Sequence, residues 1–515
     1  MVIKLIGSRL ANFFLCPLLV ISLVGAVAQL RDDLINVSKT SFVLLVVVIL
    51  LVYAFHFVPR PKIDLSKKLK TTVMACLFIL TLGWQVLLVT TLSGTSGWDP
   101  SILETAAVGG NNWLGEKYFS IYPNTFAMVA FETHLFRLLH GVTEEQFIMI
   151  LNLINIPMLD IGWVLLTYSA HKLFNNKRVT FLTVIISWLM IVVSPYVAIF
   201  YSDITSCFLG TICLSLVAIF KGTNVAWKKI VLLFFGSAIS ALAYFIKPSA
   251  VIVDVAIIIC TVIYLINRKG RGNLRKGLIT IAVVAFGFGS VYSSINYYKY
   301  HNSVVILDAN KAIPMTEFIA MGLINNGGYN PYDVQTNMAI KSKDERNEKN
   351  LQMITERLKD HGLVGYLIFL TKKQVFNTSD ASFGWQVDAG ANGFIIPFTQ
   401  YQSGIRWRIQ RIFTGTSGNQ NWKGNVIWVQ IVWCFIIIGM LLALGSDNLV
   451  VLLLKYTVLG GMAFLLIFEG GRSRYLIQFL PYIIMLSAYG WSHIRIVLSK
   501  KRYWVKEKVD VCQRH

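Results

Sequence analysis

The sequence predicts an all-α, polytopic membrane protein of about twelve transmembrane helices with two long extracytoplasmic loops, and three observations carry that prediction. Hydrophobic residues fill 55% of the 515 positions and charged residues only 14%, where a soluble domain carries roughly a quarter. Runs of roughly 17 to 25 apolar residues, the length that crosses a hydrocarbon core, recur along the chain. The formal charge of +21 falls entirely on one side of the alternating topology that those runs define.

Taken in order, the apolar runs lie near 11–28, 41–58, 71–92, 147–170, 180–200, 204–220, 229–246, 248–266, 277–295, 425–444, 449–468 and 475–494. The first follows Lys4 and Arg9 and is succeeded by Arg31-Asp32-Asp33 without a small-residue cleavage site. It therefore reads as an uncleaved span and not as a signal peptide. The organisation is then two N-terminal transmembrane helices (1–70), a membrane core (71–295) with a first outer loop at 93–146, a large extracytoplasmic region (296–424), and three C-terminal helices with a basic tail (425–515).

Placing both termini in the cytoplasm of a cell-membrane protein puts 25 of the 47 basic residues and four of the 26 acidic ones inside, a net of +21. The remaining 22 basic and 22 acidic residues cancel. This is the asymmetry that the positive-inside bias produces, and it explains the basic charge without any nucleic-acid partner. It also decides the segment from Tyr122 to His140, which carries Glu132, His134, Arg137 and His140. Counting it as a further span would move the basic loops around Lys177-Arg178 and Arg268 to Lys276 outside, so it reads as an interfacial or re-entrant helix.

The seven cysteines have neither CxxC nor Cys/His spacing and read as small core hydrophobes. His134 and His140 have no third ligand nearby in the sequence, so neither a metal site nor a cofactor is expected. Asp160, Asp254 and Lys455 lie within spans and read as structural polar groups. No internal repeat or inverted pair of broken spans of the kind many transporters carry is evident, and the placement of most charges at the outer boundary weighs against a flippase.

The candidate chemistry sits at the outer span ends. Glu469-Gly470-Gly471-Arg472-Ser473-Arg474-Tyr475 forms a short outer hinge, where cations are scarce unless they are used. Two guanidinium groups there suit an anionic headgroup, and a phosphate best matches their forked donors. Asp99 opens the first outer loop between Trp98 and Pro100, Asp203 occupies the hinge Phe200-Tyr201-Ser202-Asp203, and Lys247 precedes Pro248 in a third hinge. Such hinges, distant in sequence, are expected to line one outward cavity. The second outer region contributes a charged helical stretch (Lys341 to Asp360), an aromatic, Gly-rich tract (Phe383 to Phe398) and Trp385, Trp407 and Trp422 as candidate sugar platforms or interfacial anchors.

Several of these features occur in a shared order. Asp99 is followed by a Tyr-Pro-Asn helix start (Tyr122 to Asn124), a Tyr-x-Asp hinge (Tyr201, Asp203), a Lys-Pro hinge (Lys247, Pro248) and a terminal Arg-x-Arg-Tyr with a later proline (Arg472, Arg474, Tyr475, Pro481). Over roughly residues 71–490 the chain resembles the superfamily C (GT-C) integral-membrane glycosyltransferases, in the bacterial branch related to protein O-mannosyltransferases and the lipid A aminoarabinose transferase. The resemblance implies a GT-C-like core that inverts the sugar while moving it from a polyprenyl-phosphate donor to an extracytoplasmic glycan such as a cell-wall or surface polymer. It implies Asp99 as the general base, with Asp203 beside it, and Lys247, Arg472 and Arg474 as the donor-phosphate clamp. Tyr122, Tyr201, Glu469 and Tyr475 would then contact substrate, and membrane lipids would surround the site.

Two features depart from that pattern. The spans at 11–28 and 41–58 look like an N-terminal addition. The Trp-Trp-Asp motif of oligosaccharyltransferases is absent, which argues against glycosylation of asparagine. A lipid-pyrophosphate polysaccharide polymerase or ligase, and a lipid-linked sugar flippase, are the competing expectations.

Overall fold

The computed structural model describes residues 2–35, 46, 66–110, 117–267, 274–385, 394–415 and 427–494. The expected span at 41–58, apart from residue 46, lies outside them, as do Trp422 and the basic tail 495–515. The described chain is helical apart from a single two-stranded pairing. Among the described residues eight helices are long and apolar enough to cross a membrane.

The helices run α1 (Val2–Ile35), α2 (Lys67–Leu92), α3 (Asp99–Ala107), α4 (Lys117–Ile121), α5 (Phe126–Leu138), α6 (Glu144–Phe174), α7 (Lys177–Ser187), α8 (Ser202–Gly222) and α9 (Ala226–Ile246). They continue with α10 (Ile252–Asn267), α11 (Leu274–Tyr300), α12 (Met315–Met321), α13 (Pro331–Ala339), α14 (Lys343–Thr378), α15 (Gly404–Phe413), α16 (Ile427–Ala443) and α17 (Leu449–Ile467). A final helix, α18, covers 480–494. The long helices start and stop where local chemistry dictates. Thr143 and Gln146 form a reciprocal capping box ahead of α6, whose first turn holds Glu144 and Glu145, and these satisfy or complement its unpaired N–H groups. Asn175, in the left-handed region at φ 48°, ends that helix, and the side chain of Asn176 caps the next.

Packing separates the centre of the bundle from its rim. Over its most apolar stretch α17 is 61% buried and α11 only 6%, so α17 is the hub and α11 faces the surroundings. Around the hub pack α1 and α10, while α6 packs on α8 and α9 bridges α8 to α11. The shared core includes Leu88, Leu151, Val197, Leu454 and Tyr482.

Three of the expected spans take forms other than a single long helix. The run at 180–200 breaks into α7, a π-helical turn (Trp188–Val192) and a 3-10 turn (Pro195–Ala198). Pro195 supplies the reason, since it can donate no backbone hydrogen bond. The run at 475–494 opens as a 3-10 segment, Ser473–Phe479, before α18. That at 425–444 is a shorter apolar helix, Ile427–Ala443. The 13-residue α5 is about 20 Å long, well short of a bilayer core of about 30 Å.

The region 296–424 is not a free loop. Within it α14 runs through a kink at Gly362, whose φ of 58° favours glycine. Its second half packs on α1, where Gln374 Nε2 donates to Ser22 Oγ at 3.0 Å. The two long segments are stitched together by β1 (Gly94–Thr95) pairing antiparallel with β2 (Ile396–Pro397) and by Phe398 N donating to Ser93 O at 3.1 Å. A Cβ at Gly94 would collide with the Ile396 carbonyl, so this crossing requires glycine.

Candidate functional site

At one end of the bundle the turns that follow α2, α9 and α17, and the one that precedes α8, meet the segment between α12 and α13. Asp203, 3% exposed in the first turn of α8, is the anionic centre of one wall. It pairs with Lys247 Nζ through Oδ1 and faces Arg474 Nε at 3.5 Å through Oδ2. Lys247 is placed by the end of α9, where Pro248 opens a short 3-10 turn. Its ammonium stands 5.1 Å from the Tyr475 ring centroid, within cation–π range.

Arg474 lies among the rings of Tyr201, Phe394 and Tyr475 at 5.9, 5.5 and 5.8 Å. It is 3% exposed, yet among the described residues neither its Nε nor its Nη1 has a hydrogen-bond partner. Buried guanidinium donors left unsatisfied are costly. The Arg474 Nε is already ion-paired with Asp203, which leaves Nη1 as the donor without a partner. Arg472, half-buried, stacks over Trp98 at 5.0 Å.

An acidic and phenolic group adjoins these cations through Tyr201 and Tyr475. Asp99 is half-buried and accepts a hydrogen bond from the Tyr201 hydroxyl at 3.0 Å. Tyr118 faces the same carboxylate. Burial first and the Asp99 charge second push the Tyr201 phenol far up, so it stays protonated and donates. Glu469 accepts from the Tyr475 hydroxyl at 3.0 Å. Burial raises its carboxyl, while Arg472 and the Tyr475 bond pull it back. Tyr122 lies beside Tyr329 and Glu317, and Tyr329 is 41% exposed.

The arginine hinge is held by α14. Lys373 is completely buried and donates to Gly322 O at 2.7 Å, Leu466 O at 3.0 Å and Phe468 O at 2.7 Å. An ammonium has three donors, and all are spent on backbone around the hinge. Burial lowers Lys373 to about 7. Asn377 Oδ1 accepts from Gly471 N at 2.6 Å, and Asp380 accepts from the Ser473 hydroxyl at 3.1 Å. Gly322 lets α12 lie against this backbone, since a Cβ there would meet Phe468 O at 2.7 Å.

All nine expected site residues, Asp99, Tyr122, Tyr201, Asp203, Lys247, Glu469, Arg472, Arg474 and Tyr475, are linked by direct contacts or electrostatic neighbours in this cluster. Sequence reasoning missed Trp98 as an arginine platform, Tyr118 and Tyr329 as phenolic neighbours, Glu317 and the Lys373 strap. The Asn-Asn-Gly-Gly-Tyr turn at 325–329 was the one available signal for Tyr329.

The expected role of Trp385 as a sugar platform is overturned. It is 2% exposed, packs on Tyr196 and Phe394, and donates to Phe413 O at 2.8 Å, so its faces belong to the core. Trp407 is half-buried, with Arg411 at 4.6 Å from its ring. The intramembrane polar groups have local partners: Gln85 on Asp160 at 3.0 Å, Ser240 on Asp254 at 2.9 Å, and Lys455 on Leu444 O and Ser446 O at 2.7 and 2.8 Å. His134 bonds the Tyr298 hydroxyl at 2.6 Å, and among the described residues no His, Cys, Asp and Glu group is arranged to hold a metal.

Fold and site together define a helical integral membrane protein with a cationic, aromatic cluster at one end of its bundle. A family model described as "Conserved hypothetical integral membrane protein" matches residues 3–494, and the chain belongs to that family. No curated protein and no solved structure matches the sequence.

Proposed function

We propose that this protein is an inverting glycosyltransferase that moves a sugar from a polyprenyl-phosphate donor to an extracytoplasmic glycan acceptor, with the cluster at the outer face of the cell membrane. The observation that supports it best is the buried Arg474, whose Nη1 has no hydrogen-bond partner among the described residues, beside Lys247 and Arg472 and joined through Tyr201 to the half-buried Asp99. Such a wall accepts a phosphate on one side and a hydroxyl on the other.

In this reading the acceptor oxygen attacks the anomeric carbon while Asp99 removes its proton. The bond from that carbon to the phosphate oxygen breaks, and the electron pair leaves with the lipid phosphate. Fixed cations stabilise that developing charge more than the ground state, which lowers the barrier. General-base assistance contributes roughly 10²- to 10⁴-fold. Asp203 holds Lys247 and Arg474 in register, a positioning role, and the phenols of Tyr201 and Tyr118 orient the Asp99 carboxylate.

The test is transfer in proteoliposomes supplied with polyprenyl-monophosphate sugars. Asp99→Asn is expected to lose transfer by at least 10²-fold while retaining polyprenyl-phosphate binding, and Arg474→Ala to lose both. Full transfer by the Asp99 variant would remove the assignment of the base. Turnover of pyrophosphate-linked glycans alone would replace the reading by a polymerase or ligase, and lipid translocation without transfer would replace it by a flippase.

A further inference from the structure

The short helix α15 takes no part in the cluster. Its ten residues hold Arg406, Arg408 and Arg411, and residues 394–415 carry no acid to balance them. One face points inward: Ile409, Gln410 and Phe413 are at most 5% exposed, and Arg406 donates to the Tyr401 hydroxyl at 2.7 Å. At about 100° per residue the other face carries Arg408 and Arg411, with Ile405 and Ile412 along one edge and Trp407 along the other. Ile405 is 60% exposed, and Arg408 is exposed too. Among the described residues no hydrogen bond or ion pair engages Arg408. Arg411 lies over the half-buried Trp407 ring.

The depth of α15 is set by α2. Gln410 Nε2 donates to Thr91 O in the last turn of that span at 3.0 Å, and the Phe413 ring is 6.4 Å from that of Trp84. Trp84 stands about 12 Å before the end of α2, at 1.5 Å per residue. The basic helix therefore lies against the boundary end of a membrane-spanning helix, whose Leu80, Leu82 and Val86 face the surroundings. Arginine and tryptophan on an amphipathic helix at that depth match the headgroup layer.

We propose that α15 is an interfacial helix whose outward face, Arg408 and Arg411, binds the headgroup phosphates of anionic phospholipids in the surrounding bilayer. A guanidinium presents a fork of donors that matches phosphate oxygens, and no acid nearby in the sequence competes for it. Ile405, Ile412 and Trp407 then rest at the level of the upper acyl chains. Each cation close to an anionic lipid surface strengthens the attachment by about fivefold. Gln410 also donates to Thr399 O at 2.7 Å, two residues beyond β2. Lipid bound at α15 therefore fastens the connection that carries β2 and Phe394, whose ring flanks Arg474. This surface is independent of the reaction performed at the cluster.

The experiment uses full-length protein, one copy per phosphatidylcholine nanodisc, doped with a phosphatidylglycerol or a phosphatidylcholine that carries a photoactivatable group near its headgroup. Labelled peptides are mapped by mass spectrometry. On wild type the phosphatidylglycerol probe is expected to label 404–415 about fivefold or more above the phosphatidylcholine probe, with the preference falling at high salt. The double variant Arg408→Gln, Arg411→Gln is expected to bring the two probes level at 404–415 while labelling of the other basic segments is unchanged. Arg408→Gln alone, at an exposed position, is expected to lower the preference, and Arg408→Lys to retain it. Equal labelling by both probes on wild type, no label on 404–415, or a preference that survives the double variant overturns the proposal. Stronger labelling of 404–415 by photoactivatable undecaprenyl monophosphate at equal mole fraction overturns it in favour of the donor lipid. Binding of polyglutamate without lipid labelling, lost in the double variant, overturns it in favour of a soluble acidic partner.

Discussion

Asp203 and Glu132 are both almost completely buried, at 3% and 1% exposure, and the chain treats them in opposite ways. Asp203 stands between Lys247 and Arg474. Glu132, under α5, has no hydrogen-bond partner for either oxygen among the described residues, and its charged neighbour is another buried acid, Glu104. Burial raises Glu132 well above the usual glutamate value and Glu104 to about 8. One buried carboxyl is thus given ion-pair partners, while the other, beside a second acid, is pushed toward its protonated form. Cations are supplied beside the arginine hinge, where the proposed reaction needs them, and not under α5.

The largest break of that comparison is to strand Asp203. Lys247→Met removes one of its two cations and is expected to cost about 3 kcal/mol of stability, the scale for disrupting a buried pair, measured by thermal unfolding in nanodiscs. Lys373→Met leaves three hinge carbonyls without their donor and is expected to cost about 2 kcal/mol. Lipid-phosphate affinity should fall with it, because Arg472 and Arg474 lose their backbone support.

On the uncharged side the expected effects are smaller and depend on pH. An acid whose value is raised in the folded chain holds its proton longer there than in the unfolded chain. The stability it contributes is therefore present below the usual 4.5 and is lost as pH rises through the folded value. For Glu104 that window runs from 4.5 to about 8. Glu104→Gln should flatten the decline in unfolding temperature across it, and Glu132→Gln, replacing one neutral group by another, should change stability at pH 6 by less than about 1 kcal/mol. A large loss from Glu132→Gln would show that the carboxyl is ionised and would erase the contrast with Asp203. The smallest effect is expected from Tyr475→Phe. It removes one bond to Glu469 and should alter transfer by about tenfold or less, in line with a neutral donor worth roughly 1 kcal/mol.

The membrane class and the site's cationic wall were readable in the sequence for a shared reason. Apolar runs set where spans end, and a charge at a span end stands out against them, as Asp203, Lys247, Arg472 and Arg474 do. The acidic and phenolic wall was harder to read. Tyr118, Glu317 and Tyr329 sit in long connections whose placement depends on distant pairings, such as Ile313 N with Ile121 O at 3.1 Å. No periodicity in 296–424 announces those pairings. Trp385 misled because an aromatic in a glycine-rich tract looks accessible, whereas Tyr196 and Phe394 enclose it. The break in the 180–200 run follows from Pro195, a signal that hydropathy alone passes over.

The crossing of β1 and β2 carries a consequence of its own. Two connections separated by about 300 residues of sequence are fastened by a pairing only two residues long on each strand, and the fastening depends on the bare α-carbon of Gly94. A single methyl group at that carbon, Gly94→Ala, would act as a wedge. It would prise the two connections apart while leaving every charge and every phenol of the chain chemically intact.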